Sequence, residues 1–113
     1  MNCLIDEILE LNILHCLYMQ PKLINELYID EKCFMSERNR KTLRFFKIIY
    51  KEYNSLDVGI MLSKFDSDFK KSEFMNFISD IVDNSFAMPS EFYKYQEELQ
   101  ERYRNTNIDN IIK

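Results

Sequence analysis

An all-α fold is predicted for this chain by three observations. Its 113 residues contain a single glycine, Gly59. Its apolar residues recur at spacings of three and four rather than two. Residues that cap helix starts precede several of these periodic runs. Hairpins and barrels consume glycines at their turns, whereas helices joined by short polar loops do not. The same scarcity excludes nucleotide chemistry of the familiar kinds. A phosphate-cradling GxxxxGK[ST] loop needs two glycines and the dinucleotide fingerprint GxGxxG needs three.

The first helix runs through Leu4, Ile5, Ile8, Leu9, Leu11, Ile13, Leu14, Leu17 and Tyr18, a wide apolar face. Asp6, Glu7 and Glu10 favour its N-terminal end. Pro21 cannot continue it and is suited to open a short second helix carrying Leu23, Ile24 and Leu27. Tyr28 to Met35 connect, with Phe34 as the anchor. Ser36 is an N-cap for the strongest helix, Glu37 to Tyr53. Leu43, Phe46, Ile49, Tyr50 and Tyr53 form its inner stripe. Asn54-Ser55 ends it. Asp57 caps a shorter helix through Ile60, Met61, Leu62 and Phe65.

Asp66 to Lys71 read as a polar loop, and Ser72 as the cap of a helix with Phe74, Phe77, Ile78, Ile81 and Val82 on one side. Asn84 to Pro89 form a break before a last helix capped by Ser90. Asn105-Thr106-Asn107 mark a soft stop. The head core is predicted to include Leu11, Leu14, Leu17, Phe34, Leu43, Phe46, Ile49, Tyr50 and Leu62.

One domain is expected at this length. The chain is 46% hydrophobic and 14% aromatic at a net charge of −4, too apolar to be disordered. The acidic balance argues against general nucleic-acid binding. Three cysteines (Cys3, Cys16, Cys33) without CxxC spacing point to a reducing compartment and ordinary thiols. Acidic residues interrupt the first apolar run, so it does not read as a signal peptide. No stretch approaches the roughly 20 apolar residues of a membrane span. A cytoplasmic protein follows as the expectation.

Few side chains suggest catalysis. The single histidine, His15, lies amid an apolar helix and reads as packed. One histidine and scattered cysteines make no zinc set, and no metal or cofactor is expected. A Cys33–His15 pair would lack an oxyanion loop and an orienting group. Arg40, Arg44, Lys47 and Lys51 repeat along one helix face and form a candidate phosphate or partner contact. Glu37 and Glu52 nearby favour an ordinary solvated face. Phe45, Phe46, Tyr50 and Tyr53 read as core, not as a base-stacking platform.

On the last helix Phe92, Tyr95, Leu99 and Tyr103 recur about every 3.5 residues, as in a coiled-coil seam. A hairpin only two helices thick has little volume in which to enclose Phe74, Phe77, Ile81, Phe92, Tyr95, Leu99 and Tyr103. Two such hairpins would bury these seven as a four-helix bundle, which predicts a homodimer through them.

The order of segments resembles the N-terminal domain of DnaB-type replicative DNA helicases. That family places an Arg six residues after a Phe, a Tyr ten further and an Asp seven beyond. Here these are Phe34, Arg40, Tyr50 and Asp57, followed by Ile60, Met61 and Phe65 at aliphatic positions. Ile13 to Tyr18 and Pro21-Lys22-Leu23-Ile24 resemble the opening helix and turn. Met88-Pro89-Ser90 with Tyr95 and Leu99 resembles the last conserved segment. Lys70-Lys71-Ser72-Glu73-Phe74 departs from it, since the family often has small residues there.

The resemblance implies a small globular helical head at about 1–66 and a protruding antiparallel helical hairpin at about 72–104. The start of a linker would then lie at 105–113. It implies a non-catalytic interaction and oligomerisation domain that contributes to ring assembly and receives primase or a helicase loader. The ATPase would belong to a separate motor domain. The alternatives are the helicase-interacting domain of a primase, or a small nucleic-acid-binding replication regulator using residues 40–51. No cofactor, membrane or direct nucleic-acid contact is expected.

Overall fold

Five consecutive residues of the first helix, Ile13 to Leu17, are buried, so this helix is enclosed on every side over its second half. That single fact organises the molecule. The computed structural model describes the backbone of residues 3–83 and 87–112, and side chains for 4–83 and 87–106. The chain is all-α, with α1 (Cys3–Met19), α2 (Glu37–Tyr53), α3 (Val58–Leu62), α4 (Asp68–Asp83) and α5 (Phe92–Ile112). Short 3₁₀ turns occupy Pro21–Glu26, Glu31–Cys33 and Pro89–Glu91. Helix α1 lies at the centre and packs against α2, α4, α5 and the Pro21–Glu26 turn.

Local chemistry sets most boundaries. Ser36 Oγ accepts the Asn39 N–H (3.3 Å) at the start of α2, and Asn54 closes α2 in the left-handed conformation, φ 58°. Asp57 Oδ1 accepts the Ile60 N–H at 2.9 Å and opens α3. A Cβ on Gly59 would come within 3.0 Å of that same oxygen, so the lone glycine leaves room for the cap.

Several boundaries differ from expectation. Pro21 does open a helical turn, but over six residues of 3₁₀ geometry. Helix α4 begins at Asp68, four residues before Ser72, because Ser67 Oγ accepts the Lys70 N–H (3.2 Å) and starts the helix early. Ser90 falls inside the Pro89–Glu91 turn, and α5 begins at Phe92. No soft stop occurs at Asn105–Asn107. Helix α5 continues to Ile112, since neither Asn nor Thr breaks a helix without Gly or Pro, and Thr106 Oγ1 donates back to the Arg102 carbonyl (3.0 Å). The stretch expected to begin a linker is therefore helical as far as Ile112. Asn84, Ser85 and Phe86, within the expected break, lie outside the described residues.

The largest difference concerns the hairpin. Helices α4 and α5 each pack on α1, with α5 lying along it. Asp6 near the start of α1 pairs with Arg102 midway along α5, while Gln96, earlier in α5, donates to the Glu26 carbonyl beyond the end of α1, so the two run antiparallel. The seven seam residues accordingly face inward. Phe74, Phe77, Ile81, Phe92 and Leu99 are buried and Tyr95 and Tyr103 half-buried within one copy. Within one copy these residues are therefore not left bare as a free hairpin would leave them: α4 and α5 pack on α1, and Phe74 and Phe77 also meet Phe45, Phe65 and Arg38.

Leu14, Leu17, Phe34, Leu43, Phe46 and Ile49 form the core as expected, with Leu11, Tyr50 and Leu62 half-buried around it. Met61 takes the inner position on α3 instead of Leu62. Ile13, Cys16, Ile29 and Cys33 complete the interior.

Candidate functional site

Phe45 and Phe46 are adjacent on α2, and one helix face cannot bury both. Phe46 points into the core, and Phe45 is left at the edge facing α4. There it meets Phe65 (centroids 5.5 Å apart) and Phe74 (5.7 Å, edge-on), while Phe65 and Phe74 stand 5.1 Å apart. These spacings are those of favourable aromatic pairs. The three rings and Phe77 floor a groove of about 740 Å³ between α2 and α4.

Charges line its rim. Arg38 and Lys41 stand on the α2 wall, and Lys70, Glu73 and Asp80 on the α4 wall. The Arg38 guanidinium lies 4.1 Å from the Phe77 ring centroid, a cation–π contact, and its Nη2 is 3.6 Å from Glu7 of α1. Lys41 pairs with Glu37 at 3.2 Å and Lys70 with Asp66 at 3.4 Å. All four partners are exposed, so these pairs are weak and exchange easily with a ligand's charges. An apolar floor with a charged rim binds apolar side chains by desolvation and orients them by charge.

The titratable groups inside the molecule hold helices in place. His15 Nδ1 is 2.6 Å from the Ile81 carbonyl; a carbonyl only accepts, so Nδ1 carries the proton. The bond satisfies a carbonyl in the last turn of α4 that the helix cannot. Glu10, fully buried, accepts from the Met35 and Ser36 N–H groups (2.8 and 3.3 Å) and from Asn39 Nδ2 (2.9 Å). Burial nonetheless raises its pKa above the ordinary 4.5, with Asp6 adding repulsion. Gln96, also fully buried, accepts the Tyr28 N–H at 2.8 Å and donates to the Glu26 carbonyl at 3.3 Å. Burial pushes the Cys16 thiol up to about 11 and raises that of Cys33, so both stay protonated at neutral pH.

The basic stripe is partly spent. Arg40 Nε donates to the Phe34 carbonyl (3.2 Å). Arg44 forms a bidentate pair with Glu31, with Nη2 2.5 Å from Oε1, and its hydrogen bonds hold that carboxyl below its usual range. Lys47 is half-buried and Lys51 exposed. The four cations therefore do not form one free row. Among the described residues no His, Cys, Asp or Glu cluster is arranged to hold a metal ion, and no helix is long and apolar enough to cross a membrane.

From sequence Phe45 is expected in the core and Phe65 on the short helix after Asp57; instead α3 ends at Leu62, and both rings, with Arg38, line the groove. The adjacency of Phe45 and Phe46 was the available signal, because their side chains diverge by about 100° on a helix. Neither a family model, nor a curated protein, nor a solved structure matches this chain.

Proposed function

We propose that the chain is a non-catalytic protein-interaction and oligomerisation domain of a DNA replication assembly, of the kind found at the N-terminus of DnaB-type helicases. The α2–α4 groove, with its floor of four phenylalanines and its exchangeable rim charges, carries this reading. It suits a protein segment bearing bulky apolar side chains, and His15, Glu10 and Gln96 serve the scaffold beneath it. Within the resemblance, Arg40 ties to the Phe34 carbonyl and Asp57 caps α3, so three of the four spaced residues have structural work consistent with a shared scaffold. The partner expected at the groove is a primase or helicase loader.

Titration of the purified chain with the primase, the loader and the helicase motor of its own replication system tests the proposal. Saturable binding to one of them, weakened by Lys41→Glu, is expected. Failure to bind all three removes the replication reading. ATP hydrolysis by the isolated chain would remove the non-catalytic one.

A further inference from the structure

The two walls of the groove carry opposite charge along most of its length. Arg38 lies against Phe77, and Phe45 against Phe74 and Phe65, so α2 and α4 pass each other in opposite directions across it. Over that stretch Arg38 and Lys41 stand on the α2 side and Glu73 and Asp80 on the α4 side, with Asn76 between the two carboxylates. Residues 73, 76 and 80 share one edge of α4 over two turns. Both carboxylates are exposed, and among the described residues neither has an ion-pair partner. On the facing wall Arg38 and Lys41 pair with Glu7 and Glu37, which do not line the groove. Lys70 lies one turn before Glu73 and pairs with Asp66.

An extended segment laid on the four rings would bury backbone N–H and C=O groups, and the described residues hold no strand edge to pair with them. A helix satisfies these groups internally, and a valley between two helices accepts the apolar face of a third. Resting on the reading of the groove as a protein-binding surface, we infer that its occupant is an amphipathic helix with carboxylates along one flank and Lys or Arg along the other. Its apolar face seats on Phe45, Phe65, Phe74 and Phe77. Its acidic flank meets Arg38 and Lys41, and its basic flank meets Glu73 and Asp80. Turning such a helix end for end, apolar face still down, exchanges its flanks and sets like charges together. The rim therefore fixes the direction in which the occupant runs as well as its composition. A segment charged alike on both flanks meets a wall of its own sign and is rejected.

Fluorescence anisotropy of the full chain with synthetic helical peptides about 15 residues long tests this. Three peptides share one leucine-rich face. The first carries Glu on one flank and Lys on the other, the second the same residues mixed on both flanks, and the third Glu on both. The chain is expected to bind the first about tenfold or more tighter than the others. Glu73→Lys combined with Asp80→Lys makes both walls cationic and should reverse the order of the first and third peptides; thermal melts verify its folding. A nitroxide at the N-terminus of the first peptide should broaden amide resonances at one end of the groove, near either Asp80 or Lys70. Exchanging the Glu and Lys flanks should move the broadening to the other end. Equal binding of the three peptides, an unchanged order in the double variant, or broadening at both ends overturns the inference. So does the absence of binding by any peptide; if a replication protein then still binds and Lys41→Glu weakens it, the proposed function stands without this occupant.

Discussion

Glu10 on α1 and Asn39 on α2 meet through a 2.9 Å hydrogen bond between a fully buried carboxylate and a buried amide. The same carboxylate accepts the Met35 and Ser36 N–H groups, so an anion from one helix fastens the entry to another. Three hydrogen bonds offset the desolvation of Glu10 incompletely, which is why its pKa stands above 4.5. The folded state then binds this proton more tightly than the unfolded chain does. The resulting stabilisation is complete below the unfolded value of 4.5 and disappears as pH rises through the higher folded value. The stability of wild type relative to Glu10→Gln should therefore fall as pH rises above that point. Urea denaturation of both proteins over this range measures it; a difference that is flat or grows with pH contradicts the account.

His15 and Ile81 provide a second test. His15→Leu keeps most of the volume but leaves the Ile81 carbonyl without its donor. A loss of about 1–3 kcal/mol is expected, the usual cost of a buried unsatisfied group. An unchanged denaturation midpoint would show that water or a shift of α4 replaces the bond at no cost.

The two adjacent phenylalanines of α2 should respond unequally. Phe46 is fully buried, and Phe46→Ala should cost about 3–5 kcal/mol. Phe45 is only half-buried at the groove floor, so Phe45→Ala should cost clearly less. Equal losses in calorimetry would mean that the groove floor is as tightly packed as the core.

Asn54 ends α2 with φ 58°, a conformation that costs an ordinary L-residue about 1–2 kcal/mol. Asn54→Val should lose about that much, while Asn54→Gly should lose nothing or gain slightly. Thermal melts of the pair decide it; a valine variant as stable as the glycine variant would place the strain elsewhere.

What the sequence determined by itself was local. Ser36 and Asp57 as caps, Asn54 as a stop, Pro21 as the start of a turn and the span Glu37–Tyr53 all depend on bonds within a few residues. Such bonds follow from residue type and spacing alone. The tertiary structure decided which apolar surfaces meet. Burial is non-directional, and periodicity marks a face as apolar without naming its partner. Hence the seam from Phe74 to Tyr103 was legible, but its packing was not: α4 and α5 both lie against α1, buried over Ile13–Leu17, and the seam residues are buried or half-buried within one copy. The same distant packing brought Glu31 to Arg44 and the Phe34 carbonyl to Arg40, dividing a stripe that looked continuous along the helix. The groove arose likewise, because its floor joins Phe45 to Phe65 and Phe74 from separate helical segments whose approach no local pattern encodes.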